Sequence, residues 1–264
     1  MIHLLLPSFL IHLDLSSLLL DVGFFILWVD FIFICFFLDK SIKVWNARTG
    51  RPVRLFQGIF ESDITAMDLD KDERNLIVGD STGKIKIVDC LSGILLSELD
   101  SHRKEVSFIS YCSLDENIIT TSWDQSITVQ RDATKLQKST DRKLLRTFTH
   151  THSDDLVSAD FSQLMGLIAS GGRDSKIKLW SYEKGKLEVE LMLNNFEIIL
   201  VKFLEPFQLL LSSDNGGFLC LWDMKSSKKQ YRCLVTWQNM FNLTTAHSVT
   251  AIDYNYNPKV PILP

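Results

Sequence analysis

Short runs in which apolar and polar residues alternate recur along the chain, and each is followed by a turn and a second alternating run. The clearest example reads I-A-S-G-G-R-D-S-K-I-K-L-W over residues 168–180, where Ile177 and Leu179 share one face. Alternation with a period of two residues predicts half-buried β-strands. Arg173 and Asp174, in the middle of the run, predict a tight turn, so the run is a strand–turn–strand unit.

This unit repeats along most of the chain. Looser copies occur at residues 39–45, 81–89, 123–130 and 215–223. The steps between equivalent positions are 43, 42, 50 and 42 residues, counted through Trp45, Val88, Gln130, Trp180 and Trp222. A period of roughly 40–45 residues, with four short strands per unit and a W-D signature, predicts an all-β fold: a β-propeller of four-stranded antiparallel blades.

The repeats divide the chain into an apolar N-terminal segment (1–38), a propeller of about five repeats (39–257) and a tail (258–264). Strands are predicted at 53–56, 64–69, 76–79, 84–88, 106–111, 117–122, 126–130, 198–203, 209–213, 218–222 and within 231–237. Residues 131–145 account for the 50-residue step and are expected to be an exposed insertion. Residues 246–254 read as the first strand of a sixth unit. Because the end units are incomplete, we expect a fragment of a longer ring, or a ring whose gap residues 1–38 fill.

The N-terminal segment does not resemble the repeats. Residues 1–38 contain no Lys or Arg, and residues 22–38 are almost uninterruptedly apolar. Three interpretations stay open: a start of the chain that replaces authentic upstream blades, a membrane anchor, and a divergent buried piece of propeller. A span of 17 residues with a central Asp30 is marginal for a membrane helix. An anchor would place the repeats in the cytosol, since Lys40, Lys43 and Arg48 follow it.

Charge and cysteine content narrow the function further. The 264 residues carry a net charge of −4, which gives no electrostatic case for nucleic-acid binding. The five cysteines are scattered without a C-x-x-C pair, which favours reduced thiols inside a cell. Asp68, Asp70 and Asp72 have the spacing that opens a calcium loop. Glu73 and Gly79 stand where such a loop needs Gly and a bidentate Glu, so we expect a solvated hairpin turn instead.

These repeats resemble the WD-repeat family over residues 39–254. In that family a His before the first strand, a Ser or Thr on the second, an Asp in the next turn and a Trp on the third form a hydrogen-bonded set. The fourth unit matches at all four positions, the third at three and the fifth at two. The residues that the resemblance assigns to this structural network are His152, Ser170, Asp174 and Trp180; His102, Thr120 and Asp124; and Ser212 and Trp222. Gln130 and Gly216 depart from the pattern. In the second unit, Val78, Thr82 and Val88 leave no such network.

A narrower resemblance covers residues 150–237, which are similar to the "WD repeat-containing protein on Y chromosome" type. The phrases that carry it are H-S-D-D-L, K-L-E, F-L-E-P-F and Y-R-C-L, beginning at residues 152, 186, 203 and 231. It implies a long parent chain and an association with cilia or sperm. No EF-hand helix–loop–helix is present in this sequence, so no calcium function is carried over.

The function predicted from the fold is a non-catalytic scaffold for proteins or peptides, in the cytoplasm and, by the narrower resemblance, at the cilium. Side chains in the turn before the Asp position should point at one face of the ring. Those side chains are Ser81, Trp123, Arg173 and Asn215. Trp and Arg are enriched in interface hot spots, so Trp123 and Arg173 are the strongest partner-binding candidates. The alternative is that they cover loop backbone or stack locally.

Two other function classes compete with the scaffold. A membrane-tethered cytosolic adaptor would use residues 1–38 as its anchor. A propeller enzyme would need a nucleophile, an acid–base pair or a metal. His150 and His152 lack a third ligand, and neither G-x-S-x-G, H-E-x-x-H nor a Gly-rich phosphate loop occurs. We therefore expect no catalytic residues, metal, cofactor or small-molecule substrate.

Overall fold

The computed structural model describes residues 22–29, 32–37, 40–46, 48–135, 144–192, 196–225 and 231–238. Twenty β-strands in these ranges form five four-stranded sheets, here called blades 1 to 5. Blade 1 contains β1 Val22–Val29, β2 Ile32–Phe37, β3 Ile42–Asn46 and β4 Arg51–Phe56; blade 2 contains β5 Ile64–Leu69, β6 Asn75–Asp80, β7 Ile85–Asp89 and β8 Leu95–Glu98. Blade 3 contains β9 Val106–Cys112, β10 Asn117–Ser122, β11 Ser126–Arg131 and β12 Leu144–Phe148. Blade 4 contains β13 Leu156–Ser162, β14 Leu167–Gly172, β15 Ile177–Ser181 and β16 Lys186–Leu191; blade 5 contains β17 Ile198–Leu204, β18 Leu209–Asp214, β19 Phe218–Asp223 and β20 Arg232–Gln238.

Each blade is a simple meander. Its strands pair antiparallel in chain order, as in β5-β6-β7-β8. From blade 2 onward the first strands contact one another in turn, β5 with β9, β9 with β13 and β13 with β17. The first strand of each of these blades is therefore innermost and the fourth lies at the rim. The predicted all-β propeller of four-stranded antiparallel blades is confirmed.

The core lies between consecutive blades because both faces of a blade are apolar. In blade 4, Ala169, Leu179 and Val189 are cross-strand partners, so they share the face that packs on blade 5. The blades approach very closely at one repeated position. A Cβ atom on Gly171 would lie 2.4 Å from Ile198 Cγ2 of the next blade. Only a residue without a side chain fits there, so packing between blades selects this glycine.

Polar side chains on the inner strands also tie one blade to the next. Asp68 Oδ2 in blade 2 accepts the Tyr111 backbone N–H of blade 3 at 2.7 Å. Asp160 Oδ2 in blade 4 accepts the Phe203 N–H of blade 5 at 2.6 Å. Burial raises the pKa of Asp68 to about 6, against the hydrogen bonds that favour its charged form.

This finding corrects the interpretation of Asp68 and Asp70 as solvated, whereas Asp72 is exposed, as expected. Asp68 faces the neighbouring blade. Asp70 is buried, and its Oδ1 accepts the backbone N–H groups of Arg74 at 2.8 Å and Asn75 at 3.0 Å, which closes the β5–β6 turn.

Part of the N-terminal segment belongs to blade 1. β1 pairs with β2, and β2 pairs with β3, for example through Ile34 and Val44. The predicted boundary between residues 38 and 39 therefore falls between two hydrogen-bonded strands of one blade. Ile34 is fully buried in the core between blades 1 and 2. Within the described ranges, no helix has the length and hydropathy needed to cross a membrane.

The start of the predicted insertion is only partly exposed: Arg131 and Lys135 are exposed, whereas Asp132 is buried. Asp132 Oδ1 accepts the Thr134 backbone N–H at 2.9 Å at the start of a 3-10 helix, Ala133–Lys135. Ala133 packs against the core between blades 2 and 3, and Lys135 Nζ lies 2.9 Å from Asp72 Oδ2. Residues 136–143, the predicted strand at 246–254 and the tail at 258–264 lie outside the described residues.

Candidate partner-binding face and blade networks

The structure brings together the four network residues of blade 4. His152 Nδ1 lies 2.9 Å from Asp174 Oδ1, and His152 Nε2 lies 2.8 Å from Ser170 Oγ. The Trp180 indole N–H donates to the same Ser170 oxygen at 2.9 Å. With the Nδ1 proton directed at Asp174, Nε2 accepts the Ser170 hydroxyl proton. The set joins the segment before β13, the strands β14 and β15, and the turn between them.

Asp174 holds this turn as a carboxylate. Burial alone would raise its pKa, but the hydrogen bond and charge of His152, with the backbone N–H groups of Ser153 and Lys176, lower the pKa to about 2. The carboxylate therefore stays ionised over the physiological range and keeps the imidazole oriented.

Blade 3 reaches a similar arrangement by a longer route. His102 Nε2 lies 2.8 Å from Thr120 Oγ1, and His102 Nδ1 lies 3.3 Å from Asp124 Oδ2. In place of a Trp, the Gln130 amide donates to Thr128 Oγ1 at 3.3 Å. Thr128 Oγ1 in turn lies 2.7 Å from Thr120 Oγ1. Sequence reasoning missed Thr128. Its hydroxyl links Gln130 to Thr120, whereas in blade 4 the Trp180 indole reaches Ser170 directly.

Blade 2 has an apolar replacement for the set. Phe60 stands at the His position, and it is buried together with Val78 and Val88. Because none of these side chains carries a polar group, none needs a partner. In blade 5 the Trp222 indole donates to Ser212 Oγ at 2.9 Å.

Blades 2 and 5 carry their turn carboxylate two residues earlier than blades 3 and 4. Asp80 Oδ1 accepts the N–H groups of Thr82 at 2.8 Å and Lys84 at 3.0 Å. Asp214 Oδ1 accepts those of Gly216 at 3.0 Å and Phe218 at 2.9 Å. The signal was an Asp at the end of the second strand, where its side chain can close an Asx-turn. Blade 2 therefore lacks the His–Ser–Asp–Trp set, as expected from Val78, Thr82 and Val88, but its turn is still closed by a carboxylate, that of Asp80.

Asp80 and Asp214 differ in the partners of their second carboxylate oxygen, Oδ2. Asp80 Oδ2 accepts the Ser62 hydroxyl at 2.6 Å. Burial would raise the Asp80 pKa, but Ser62, Thr82 and the turn amides lower it. Asp214 Oδ2 is buried and has no hydrogen-bond partner in the described part of the chain, and burial raises the pKa of Asp214. Phe196 stands where blade 2 has Ser62.

The four partner-binding candidates occupy equivalent positions at one end of blades 2 to 5, here called the turn face. Their backbone N–H groups donate to the carbonyl oxygens directly before the inner strands. The pairs are Ser81 to Asp63 at 2.8 Å, Trp123 to Glu105 at 3.0 Å, Arg173 to Asp155 at 3.0 Å and Asn215 to Glu197 at 2.9 Å. The shared hydrogen bond sets all four side chains at the same end of their blades.

Two of the candidates meet. The Arg173 guanidinium carbon lies 5.0 Å from the centroid of the Trp123 ring, within cation–π range. Arg173 Nη1 also lies 3.1 Å from Asp155 Oδ2, and its Nε lies 4.0 Å from Glu197 Oε2. The Arg173 side chain remains 40% exposed. Ser81 and Asn215 lie on the blades to either side of this pair.

Sequence reasoning missed a ring of acids on the turn face. The residue before the inner strand is acidic in all four blades. These ring acids are Asp63, Glu105, Asp155 and Glu197. Burial raises the pKa of Glu105, and the charges of Asp155 and Asp63 raise it further, while Arg173 opposes them. Aligning the residue before each inner strand would have revealed the ring.

The remaining potentially reactive groups are cysteine thiols and side chains that could bind a metal ion. Burial raises the pKa of Cys90 to about 11 and of Cys220 to about 12, so both are neutral thiols at pH 7. In the described ranges, no group of three or more His, Cys, Asp or Glu side chains is placed to hold a metal ion.

Four-stranded blades with a His–Asp–Ser–Trp set define the class of fold: the chain has a β-propeller of the WD-repeat type, and its sequence is similar to WD-repeat proteins. The model of the WD domain, G-beta repeat family matches residues 142–181, which contain the whole blade 4 set.

Several known proteins are similar to this chain in sequence. Autophagy-related protein 16 of Arabidopsis thaliana is 25% identical over 70% of this chain and 35% of its own length. Cilia- and flagella-associated protein 337 B of Tetrahymena thermophila is 30% identical over 35% of this chain and 7% of its own length. Cilia- and flagella-associated protein 52 of Mus musculus is 20% identical over 70% of this chain and 36% of its own length. The chain thus spans little more than a third, or less, of these relatives.

A solved structure supports the fold alone. The crystal structure of the computationally designed Ika8 protein has a TM-score of 0.69 to this chain at 23% identity. The match covers 89% of this chain and 66% of the designed one.

Ser170→Ala should destabilise the protein more than Ser212→Ala. The first substitution leaves both the Trp180 indole and His152 Nε2 without their partner, at a cost of about 1–3 kcal/mol. The second removes the partner of one indole, Trp222. Urea unfolding followed by tryptophan fluorescence measures both. Equal losses, or no loss in Ser170→Ala, would contradict the network.

Asp80→Asn and Asp214→Asn form a matched pair with opposite expected effects at pH 7. Asp80 has a lowered pKa, so its charge stabilises the fold, and Asn should cost about 1 kcal/mol. Asp214 has a raised pKa, so its charge opposes folding, and Asn should be neutral or stabilising. Thermal unfolding measures the change in stability of each variant. A larger loss for Asp214→Asn than for Asp80→Asn would refute the assignment.

Proposed function

We propose that this chain is a non-catalytic scaffold that holds protein partners on its turn face. The observation that carries the proposal is the contact between the half-buried Trp123 ring and the exposed Arg173 guanidinium, at equivalent positions of neighbouring blades. Trp and Arg supply most hot-spot energy in protein interfaces. The relatives described above, which are named for autophagy and for cilia and flagella, are compatible with a general role in protein assembly.

A catalytic role is disfavoured by the environment of the most reactive-looking group. Ser170, His152 and Asp174 have the connectivity of a hydrolytic triad. Ser170 and His152 are buried, and the Ser170 oxygen also accepts the Trp180 indole N–H. A nucleophile needs access to substrate, so we infer a structural role for this set.

The cellular setting we infer is the cytoplasm, in a ciliary or sperm assembly. Support comes from the two relatives named for cilia and flagella and from the resemblance to the "WD repeat-containing protein on Y chromosome" type. The latter resemblance stays a prediction.

The double variant Trp123→Ala/Arg173→Ala should lose its partners, because it removes the aromatic and cationic centre of the turn face. The matched control is Leu114→Ala/Leu164→Ala, two exposed residues in turns at the opposite end of blades 3 and 4. Quantitative proximity labelling of the full chain in ciliated cells should show partner recovery at least about tenfold lower for the first variant only. Retention of partners by a folded Trp123→Ala/Arg173→Ala protein, or equal loss in the control, would overturn the proposal.

A further inference from the structure

The turn face already binds a cation that belongs to the protein itself, the Arg173 guanidinium. Arg173 lies over the Trp123 ring and faces the carboxylates of Asp155 and Glu197. An aromatic surface beside two acids is therefore how this face binds a cation: the ring attracts the positive charge, and the carboxylates pair with it.

Blade 5 carries a second aromatic ring beside Glu197, the acid that it shares with Arg173. The Phe196 side chain is exposed, at 48%, and Glu197 beside it is also exposed. The Phe196 ring lies against Gly216, where a Cβ atom would be 2.3 Å from its Cδ2. The Gly216 N–H is bound by Asp214, so ring and carboxylate lie at the same turn.

The equivalence of Asp80 and Asp214 indicates where the unpartnered oxygen of Asp214 points. Asp80 and Asp214 bind their turns through Oδ1 in the same way, and Asp80 Oδ2 reaches Ser62, the residue before the ring acid Asp63. By analogy with Asp80 we infer that Asp214 Oδ2 is directed toward Phe196, the residue before Glu197. Asp214 is fully buried, and Oδ2 lacks a partner within the described residues. A buried carboxylate oxygen without a donor is costly unless a ligand supplies one.

We propose that Phe196, Glu197 and Asp214 form a receptor for an arginine or lysine side chain of a basic partner segment. The cation stacks on the Phe196 ring, Glu197 pairs with it at the surface, and Asp214 attracts it from beneath. A rotation of the Phe196 side chain gives the cation access to Asp214 Oδ2. This inference rests on the proposed function, since it names the chemistry of a partner on the same face.

The ring acids extend the receptor toward blades 2 and 3. Asp63 and Glu105 make no ion pair within 4.0 Å among the side chains that the structure describes. A segment with cationic residues in succession can therefore pair with Asp63, Glu105 and the blade 5 receptor in turn. The partner is a basic peptide segment rather than an acidic or apolar one.

The test compares two labelled probes by fluorescence anisotropy on the full chain. One is a short peptide of alternating glycine and arginine, and the other carries citrulline in place of every arginine. Citrulline has the same shape without the charge. The wild-type protein should bind the arginine peptide at least about tenfold more tightly. Equal binding of the two peptides would overturn the proposal.

Variants distinguish binding of the peptide at the receptor from nonspecific attraction by the protein's negative charge. Glu197→Gln/Asp214→Asn should weaken binding of the arginine peptide about tenfold, and Phe196→Ala about threefold or more. The control Glu73→Gln/Glu183→Gln removes the same charge from exposed turns at the opposite end of the blades and should change binding less than about twofold. Circular dichroism and thermal unfolding establish that each variant is folded. Equal loss in the control, or no loss in the folded receptor variants, would refute the receptor.

The two proposals fail in different ways. If Trp123→Ala/Arg173→Ala loses its cellular partners while the arginine peptide binds no better than its citrulline counterpart, the scaffold stands and the cation receptor is wrong. If partners are retained by that variant, the turn face itself is not the binding surface.

Discussion

Every blade depends on its neighbours, because a four-stranded sheet that is apolar on both faces is buried only when another sheet packs against it. The contact is closest on the inner side, where Gly171 of blade 4 leaves room for Ile198 of blade 5, and Gly79 of blade 2 does so for Val106 of blade 3. Burial of apolar area supplies the main free energy of such packing. Strand order and the shared turn face follow from that arrangement.

The polar sets are variable because packing between blades already holds the fold. Blade 4 has the full set, blade 3 substitutes Gln130 and Thr128, and blade 2 has apolar residues instead. Each solution satisfies its buried polar groups or removes them. The turn carboxylate of blade 5 differs, because Asp214 Oδ2 lacks a hydrogen-bond partner in the described chain, as do the buried Ser213 Oγ and Asn117 Oδ1. The proposed cation receptor of blade 5 rests on this unpartnered carboxylate oxygen.

Most of the blade architecture could be predicted from the sequence, since the period of 40–45 residues and the alternation are both local signals. Predicted strands such as 117–122 agree with β10, and others differ by one or two residues at their ends. β1 and β2 were not predicted, because a nearly continuous apolar run hides a period of two. Asp80 and Asp214 were missed because a carboxylate can cap a turn from two positions. The contact between Trp123 and Arg173 joins residues 50 positions apart, which no local pattern shows.

A double-mutant cycle between Gly171→Ala and Ile198→Ala tests the packing of consecutive blades most directly. The added Cβ would lie 2.4 Å from Ile198 Cγ2, an atom that Ile198→Ala removes. Urea unfolding should therefore show that Gly171→Ala is strongly destabilising in the wild-type background and much less so beside Ile198→Ala, where Ile198 Cβ at 3.0 Å and Val201 Cγ1 at 3.2 Å still crowd the added Cβ. The predicted coupling is at least about 1 kcal/mol. Additive effects, within about 0.5 kcal/mol, would mean that the two blades do not pack as described.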